Sequence, residues 1–411
     1  ITKSGEGTNQ SASGTCKDKA DNVSDPASVT GIDIDKTKPV ITGSRAPLAN
    51  TYGWNNTDVT ANFACADTGS VQSGLNINTV TGATLSSEGA GQFVTNSGSC
   101  TDKAGNTADS STVSGISIDK TNPTIVLTIT PGSPAVTGWY NVATGKPTVT
   151  FTCGDSLSGV ASCTPPVLVG EGANQTIAGT AMDKAGNSAS TSIMHINVDV
   201  TAPTINLINP GISGSYLLNQ SANASYGCSD SGSSGLVAGS AGCGGPVASG
   251  SQFDTASVGS KNFTVNAKDV AGNTASQTNS YGVFYSTGAC LGSAGHTILQ
   301  PINFTGDSVF PRKQGSTVPA KFRVCDANGN SIGSAGVVND FRITQIVAGT
   351  VLNTTNELVD STTPDSVFRF DPSGGQWIYN ISTKNYNAGS TYFFRVFLND
   401  GTNIDFDFGL K

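Results

Sequence analysis

TDKAGNTA, residues 101–108, has close relatives elsewhere in the same 411-residue chain: KDKADNVS from residue 17, MDKAGNSA from residue 182 and KDVAGNTA from residue 268. Asp, Ala and Asn keep their places, and a turn-forming residue stands between Ala and Asn. Recurrence of this kind marks serial copies of one supersecondary unit. A chain of 411 residues also exceeds what a single hydrophobic core organises.

Outward from the turn, three further landmarks recur in fixed order. An aromatic beside Asn comes first: Trp54 in GWNN, Trp139 in GWYN and Tyr216 in GSYLLN. An alternating stretch ending at cysteine follows: Val59, Ala61, Phe63, Cys65; then Val149, Phe151, Cys153; then Ala222, Ala224, Tyr226, Cys228. Period-two alternation with cysteine on the apolar face predicts a half-buried strand whose thiol points into a core. After the turn comes a linker, DKTKP at 35–39, DKTNP at 119–123 and DVTAP at 199–203.

The residues just before the turn alternate as well, with Phe263, Val265 and Ala267 on one face and Ile177, Gly179 and Ala181 in the preceding copy. Cys100 holds the same inward position, so Cys65 and Cys100 face one core from two strands. That is the arrangement of an inter-sheet disulfide in an immunoglobulin-like sandwich. In the next two copies Ala181 and Ala267 stand there instead, and second cysteines at Cys163 and Cys243 predict local loop staples, Cys153 with Cys163 and Cys228 with Cys243. Cys290 and Cys325 are the cysteines left in the last segment and are expected to pair with each other.

Composition agrees with many short strands. Only 12% of residues are charged and 50 are glycine, which disfavours long amphipathic helices. The net charge of −8, without a Lys/Arg cluster, argues against a nucleic-acid or anionic-membrane partner. No run of transmembrane length is present, so no membrane insertion is expected in this stretch. Nine cysteines without a CxxC, beside only His195 and His296, fit disulfides better than zinc or haem and point to an extracellular or cell-surface location.

FTCGDSLSGVASC, AMDKAGNSAS and VDVTAPTI make residues 1 to about 285 resemble bacterial extracellular immunoglobulin-like repeats of the hyalin-repeat kind. From Cys290 onward the repeat landmarks vanish. There VFPRKQGSTVPAKFRVCD, with Pro319, Ala320, Lys321 and Phe322, resembles the small C-terminal domain named for its Pro-x-Lys-Phe motif, which typically closes secreted bacterial surface proteins. Alternation sets Lys321, Arg323 and Cys325 against Phe322 and Val324, and Ile404, Phe406 and Phe408 against Asp405 and Asp407. The expected fold is all-β: tandem immunoglobulin-like β-sandwiches with a distinct C-terminal β-sandwich-like domain. The expected divisions are 1–38, the closing half of a repeat; 39–122, 123–202 and 203–285, full repeats; and 286–411, the last domain.

No catalytic constellation can be assembled: a triad or a carboxylate pair lacks its members, and both histidines suit structural or exposed roles. Trp54 and Trp139 could face sugars, but their place at each opening turn fits packing or interdomain contact. The Asn22 and Asn55 sequons are expected by chance in so Ser/Thr/Asn-rich a chain. The aspartates are more informative. In this topology the strand bearing the first cysteine and the strand before the turn finish at the same end of the domain. This groups Asp35, Asp67 and Asp102; Asp119, Asp155 and Asp183; and Asp199, Asp230 and Asp269. Each set is either an oxygen cage for Ca²⁺, similar in logic to cadherin junctions, or turn chemistry in which the carboxylates bond local amides.

Cys16 precedes KDKADN as Cys100 precedes the next turn, and its partner would fall before residue 1. A longer natural protein, or strands donated by a neighbouring subunit in a fibre, would complete residues 1–38. The function expected is that of a secreted bacterial surface structural or adhesive protein, a stalk or extracellular fibre, with self-association, preceding domains of the same polypeptide or a surface glycan as partners. The alternative is the non-catalytic spacer or carbohydrate-binding tail of a secreted hydrolase.

Overall fold

The computed structural model describes residues 1–302, 309–310, 314–363 and 367–411; Pro311, Arg312 and Lys313 of the stretch quoted above lie outside the described residues. The chain is all-β. Among the described residues every regular element is a strand, apart from one short 3-10 turn at Gly239–Ala241. Two compact units are formed: Ile1–Ser133 with Pro147–Gly170 and Asn174–Ile196, and Pro134–Lys146 with Glu171–Ala173 and Asn197–Lys411.

In the first unit, Gly7–Gly14 and Ala27–Ile34 form an isolated antiparallel pair. The next repeat has more layers. Val40–Ala46 pairs with Val59–Ala66, which also pairs with Ala83–Leu85. Leu75–Asn78 pairs with Cys100–Asp102, and Gly89–Thr95 with Thr112–Ile118. Between these layers Val59, Ala61, Val94, Ile116 and Ile118 are buried, with Phe63, Leu85 and Val113 packed against them. The alternation of Val59 and Ala61 thus turns one face of the cysteine strand into the core. Thr124–Thr130 pairs with Thr148–Gly154 in the same register logic, Ile125 opposite Cys153, as Ile41 lies opposite Cys65.

In the second unit, Thr204–Asn209 pairs with Ser225–Ser229, placing Ile205 opposite Cys228. The companion sheet runs Gly214–Leu217, Thr274–Phe284, Gly259–Lys268, Cys243–Gly244, its first pair being parallel. Phe263, Val265 and Ala267 are buried on one face. The last domain stacks a four-stranded sheet on a five-stranded one. The first has the order Ile298–Leu299, Thr317–Phe322, Gln376–Ser382, Arg369–Asp371; the second, Val309–Phe310, Asn403–Leu410, Ser390–Leu398, Val338–Ala348, Val351–Leu358. Within the five-stranded sheet Phe394 stacks on Phe406 and Phe408, and across the two sheets Phe341 meets Tyr379 edge-on at 5.1 Å.

Val318, Ala320 and Phe322 are fully buried, which leaves Pro319 and Lys321 on the other face of the motif strand. The expected alternation holds through Arg323 and Val324 and fails at Cys325. The strand ends at Phe322, and Val324 and Cys325 are both buried, so Cys325 does not share the Lys321 face. Ile404, Phe406 and Phe408 do line the core, while Asp405 turns outward to Arg395. The apolar cluster of this domain is continuous with that of the preceding repeat, from Phe253, Phe263 and Tyr285 through Phe322 to Phe408.

Disulfides join Cys65 to Cys100, Cys153 to Cys163, Cys228 to Cys243 and Cys290 to Cys325, and Cys16 is free and exposed. On the chain-entropy account the two links of 35-residue separation contribute about 4 kcal/mol each and the 10-residue link about 3 kcal/mol. Non-reducing peptide mapping should recover these four pairs and no others, and a thiol reagent applied to the folded chain should label Cys16 alone. A peptide linking cysteines of two different repeats would refute the register of the strands.

Candidate metal centres

Each recurring turn is built the same way. The Asp backbone N–H donates to the carbonyl of the Asn four residues on, at 3.1 Å for Asp102, Asp183 and Asp269 and 3.0 Å for Asp18. The Asp carboxylate then accepts the Asn backbone N–H on one oxygen and Asn Nδ2 on the other, as Asp102 does from Asn106 at 2.8 and 2.7 Å. Asp183 with Asn187 and Asp269 with Asn273 repeat this pattern. The residue before Asn has positive φ at Gly105, Gly186 and Gly272, where glycine has no Cβ penalty. Asp21 takes that place in the first copy with φ 67°, a conformation Asp tolerates.

The second proton of Asn Nδ2 reaches back to the linker. Asn106 donates to the carbonyl of Asp35 at 3.2 Å, Asn187 to that of Asp119 at 2.9 Å and Asn273 to that of Asp199 at 2.9 Å. The linker aspartates are bound in turn. Their Oδ1 accepts the N–H of Thr37, Thr121 or Thr201, and their Oδ2 the N–H of Ser73, Ser158 or Ser234. The Ser73 hydrogen bonds hold the Asp35 carboxyl below its usual range. In the third repeat set, a Cβ at Gly232 would fall 2.3 Å from Asp199 Oδ1, so only glycine lets that loop close over the carboxylate.

The structure brings the nine aspartates together in threes: Asp35, Asp67 and Asp102; Asp119, Asp155 and Asp183; Asp199, Asp230 and Asp269. In each set one carboxylate oxygen per residue lies within 4.8 Å of the others. Asp102, Asp119, Asp183, Asp199 and Asp269 are buried. Among the described residues none of the nine forms an ion pair; the lysine and arginine pairs involve other acids. The middle aspartate is the least satisfied. Asp67 accepts Gly74 N–H on Oδ2 and Asp230 accepts Gly232 N–H on Oδ1, but Asp67 Oδ1 and Asp230 Oδ2 are buried with no donor. Asp155 Oδ2 accepts the N–H groups of Leu157 and Gly159.

This donor set is all oxygen, hard and anionic, and it retains acceptor capacity after the amide bonds are counted, since each carboxylate offers about four lone-pair sites. It suits Ca²⁺, not a soft-ligand metal. Turn chemistry accounts for every amide contact at these sites; it does not account for Asp67 Oδ1 and Asp230 Oδ2, each buried without a donor beside two further carboxylates.

Three elements at these sites escape a reading of the turn alone. Glu6, Glu88 and Glu171 each accept the hydroxyl of the linker threonine, Thr37, Thr121 or Thr201. Their signal is the repeated Glu-Gly-x-x-Gln of residues 6–10, 88–92 and 171–175. The opening loop of one repeat also bonds the turn of the next: Asn50 Nδ2 to the Lys184 carbonyl, and both Thr137 Oγ1 and Asn141 Nδ2 to the Ala271 carbonyl. Trp54 and Trp139 are half-buried, and their backbone carbonyls accept the N–H groups of Asn50 and Ala135 within these loops. Finally, the turn does not vanish after Cys290. Asp326-Ala-Asn-Gly-Asn330 keeps its bonding, with Asp326 N–H to the Asn330 carbonyl at 3.0 Å and Asn219 Nδ2 to Asp326 Oδ2 at 3.0 Å. Burial works to raise the Asp326 pKa, and the bonds from Asn219 and Asn330 outweigh it and hold the carboxyl below its usual range. The constant Asp-x-x-Gly-Asn was the legible signal there.

The histidines take no part. His195 is exposed and its Nδ1 bonds Asn174 Oδ1. His296 lies between the Ser286 carbonyl and Thr402 Oγ1, while the Thr402 hydroxyl donates to Asp400 Oδ1 at 2.6 Å, so that hydroxyl proton is committed to the acid and not to the imidazole.

No family model and no curated protein matches the chain. Similar solved structures include a tetra-tandem repeat in the extending region of a large adhesion protein, 15% identical over 90% of this chain and 98% of that one, with a TM-score of 0.29. The protocadherin gammaB4 extracellular domain is 12% identical over 98% and 76%, TM-score 0.23. The human desmocollin-1 ectodomain is 9% identical over 96% and 83%, TM-score 0.23. At such TM-scores the likeness carries no function to this chain.

Asn273→Ala should strand the Asp199 carbonyl and an Asp269 oxygen in buried surroundings and cost about 1–3 kcal/mol. The same change at exposed Asn22 should cost less than about 0.5 kcal/mol. Urea unfolding midpoints of the two variants check the contrast.

Proposed function

We propose that this chain is an extracellular structural or adhesive segment, a series of immunoglobulin-like domains whose Asp-rich junctions bind Ca²⁺. The observation that carries the reading is the threefold recurrence of converging carboxylates that form no ion pair among the described residues, two sets keeping a buried oxygen without a donor. Each set couples a linker to the loops of the repeat that follows it. A cation there would neutralise the mutual repulsion and fix the linker where it enters the domain, while chelation would restore repulsion at the hinge. Asp67 and Asp230 each accept a single amide bond and Asp155 takes both of its amide bonds on Oδ2; Asp35, Asp119 and Asp199 bring the linker to the ion, and Asp102, Asp183 and Asp269 bring the turn.

Four disulfides support an oxidising, extracellular setting. Among the described residues no helix is long and apolar enough to cross a membrane. The role is non-catalytic: the two histidines are engaged as described above, and the carboxylate clusters face one another without a nucleophile. Bacterial surface origin, assembly into a fibre and capture of a surface ligand belong to the same proposal, supported by the repeat motifs and the Pro-x-Lys-Phe domain. Nothing at Trp54 or Trp139 favours the hydrolase-tail alternative.

Calorimetric titration of the chelated chain should show Ca²⁺ binding in roughly the 10⁻⁴–10⁻³ M range of extracellular modules, together with a rise in melting temperature. Asp67→Asn, Asp155→Asn and Asp230→Asn combined should abolish both. Absence of heat and of any thermal shift at millimolar Ca²⁺ would leave the aspartates as turn-formers and remove the metal from the proposal.

A further inference from the structure

The linker at residues 119–121 is gripped from both sides. From the repeat that follows, Asn187 Nδ2 donates to the Asp119 carbonyl and Ser158 N–H to the Asp119 carboxylate. From the repeat that precedes, Glu88 takes the next two residues: its Oε1 accepts Lys120 N–H at 2.6 Å, and the Thr121 hydroxyl lies 3.0 and 3.1 Å from its two oxygens. The Lys120 ammonium is tied to the same repeat through Asp58 and the Ser86 carbonyl. Thr121 N–H in turn donates to Asp119 Oδ1 at 3.1 Å. Holding Thr121 therefore holds the carboxylate that the linker brings to Asp155 and Asp183.

The grip recurs with the acids. Glu6 accepts Lys36 N–H and the Thr37 hydroxyl, and Glu171 accepts the Thr201 hydroxyl, 3.0 and 3.1 Å from its two oxygens. In the first two copies Gln closes the loop that carries the acid: Gln10 Nε2 donates to the carbonyls of Gly5 and Gly7, and Gln92 Nε2 to those of Ser87 and Gly89. The last repeat provides the contrast. Gly259 lies opposite Val283 as Gly89 lies opposite Ile118, but Val258 precedes it in place of Glu. Phe284, Tyr285 and Ser286 then follow Val283 where Asp119, Lys120 and Thr121 follow Ile118. The glutamate is missing where the linker aspartate is missing.

We propose that Glu88, with Glu6 and Glu171 in the other copies, is a positioning residue for the junction cation: it holds the linker threonine, keeps the linker carboxylate converged on the other two against their repulsion, and so raises the affinity for Ca²⁺. This rests on the Ca²⁺ reading of the junctions given above. An ion that meets a linker already in place does not have to order it, and that cost is no longer subtracted from binding. Glu88 lies outside the converging set and its oxygens are engaged by the linker, so it contributes a position and not a ligand.

The test uses the full chain carrying Asp67→Asn and Asp230→Asn, which leaves the set of Asp119, Asp155 and Asp183 intact. Thr121→Val removes the hydroxyl and no charge, and Glu88→Ala removes the acceptor. By calorimetric titration Thr121→Val should weaken Ca²⁺ binding about fivefold and Glu88→Ala, which also frees Lys120 N–H, about tenfold. The double variant should bind no more weakly than Glu88→Ala alone, because both changes break one contact. Thr121→Ser, which keeps the hydroxyl, should restore the affinity. In chelator the amide of residue 121 should exchange faster in both weakened variants, while the melting temperature stays within about 2 °C, since Glu88 and Thr121 are exposed. Unchanged Ca²⁺ affinity in Thr121→Val, or effects that multiply in the double variant, would overturn the proposal and leave Ca²⁺ binding standing. Absence of heat from the background chain itself would overturn the Ca²⁺ reading, and the proposal with it.

Discussion

A buried carboxylate cannot stay charged in a protein interior without donors, and Asp102, Asp183 and Asp269 are buried at the end of a strand. The rest of each repeat follows from meeting that demand. Asn four residues later supplies its backbone N–H and one amide proton, which requires a tight turn and so a residue that accepts positive φ just before it. The other amide proton of Asn is then aimed outward, and it takes the carbonyl of the linker Asp. The linker is thereby pinned, and its own side chain closes an Asx turn on Thr while capping the Ser of a second loop. One recurring pentapeptide thus determines the turn, the path of the chain into the domain and the meeting of three acids.

That meeting separates structure from function. Amide donors satisfy the turn and linker aspartates, and an apolar side chain at Asp67 or Asp230 would remove the bond from Gly74 or Gly232 while leaving the turn and linker bonds in place. A third acid is therefore not demanded by the turn. Its presence in all three sets, with no ion pair to it among the described residues, is the observation on which the proposed cation rests.

The strand pattern was open to sequence reasoning because burial on one face of a strand writes itself as period two: Val59 and Ala61, or Val265 and Ala267, can be placed in a core before any coordinates exist. The failure at Cys325 has the same origin. Alternation holds only while the backbone stays extended, and the strand stops at Phe322, after which two successive side chains turn inward. The grouping of the aspartates could be set out from topology, but the spacing of their oxygens and the lack of donors for Asp67 Oδ1 and Asp230 Oδ2 depend on loop paths that no periodicity encodes. Glu88 and Asn50 were harder still, since each acts on a distant segment, Glu88 on Lys120 and Thr121 and Asn50 on Lys184, although Glu-Gly-x-x-Gln and the Asn of the opening loop were visible as letters.

The turn at Asp326 shows what the same device does without the extra acids. Its carboxylate faces Asn219 and Asn330, neutral donors, where the other turns face two more carboxylates. Close by, Tyr285 donates its N–H to Asp400 and its hydroxyl to Asn399, and the apolar cluster runs without interruption from Phe263 to Phe408. An amide–carboxylate bond and a shared core need no cation and give none a site. On the proposed reading, the three acidic junctions respond to Ca²⁺, whereas the last repeat and the final domain are held together by the shared core and these hydrogen bonds and stay joined when the ion is withdrawn.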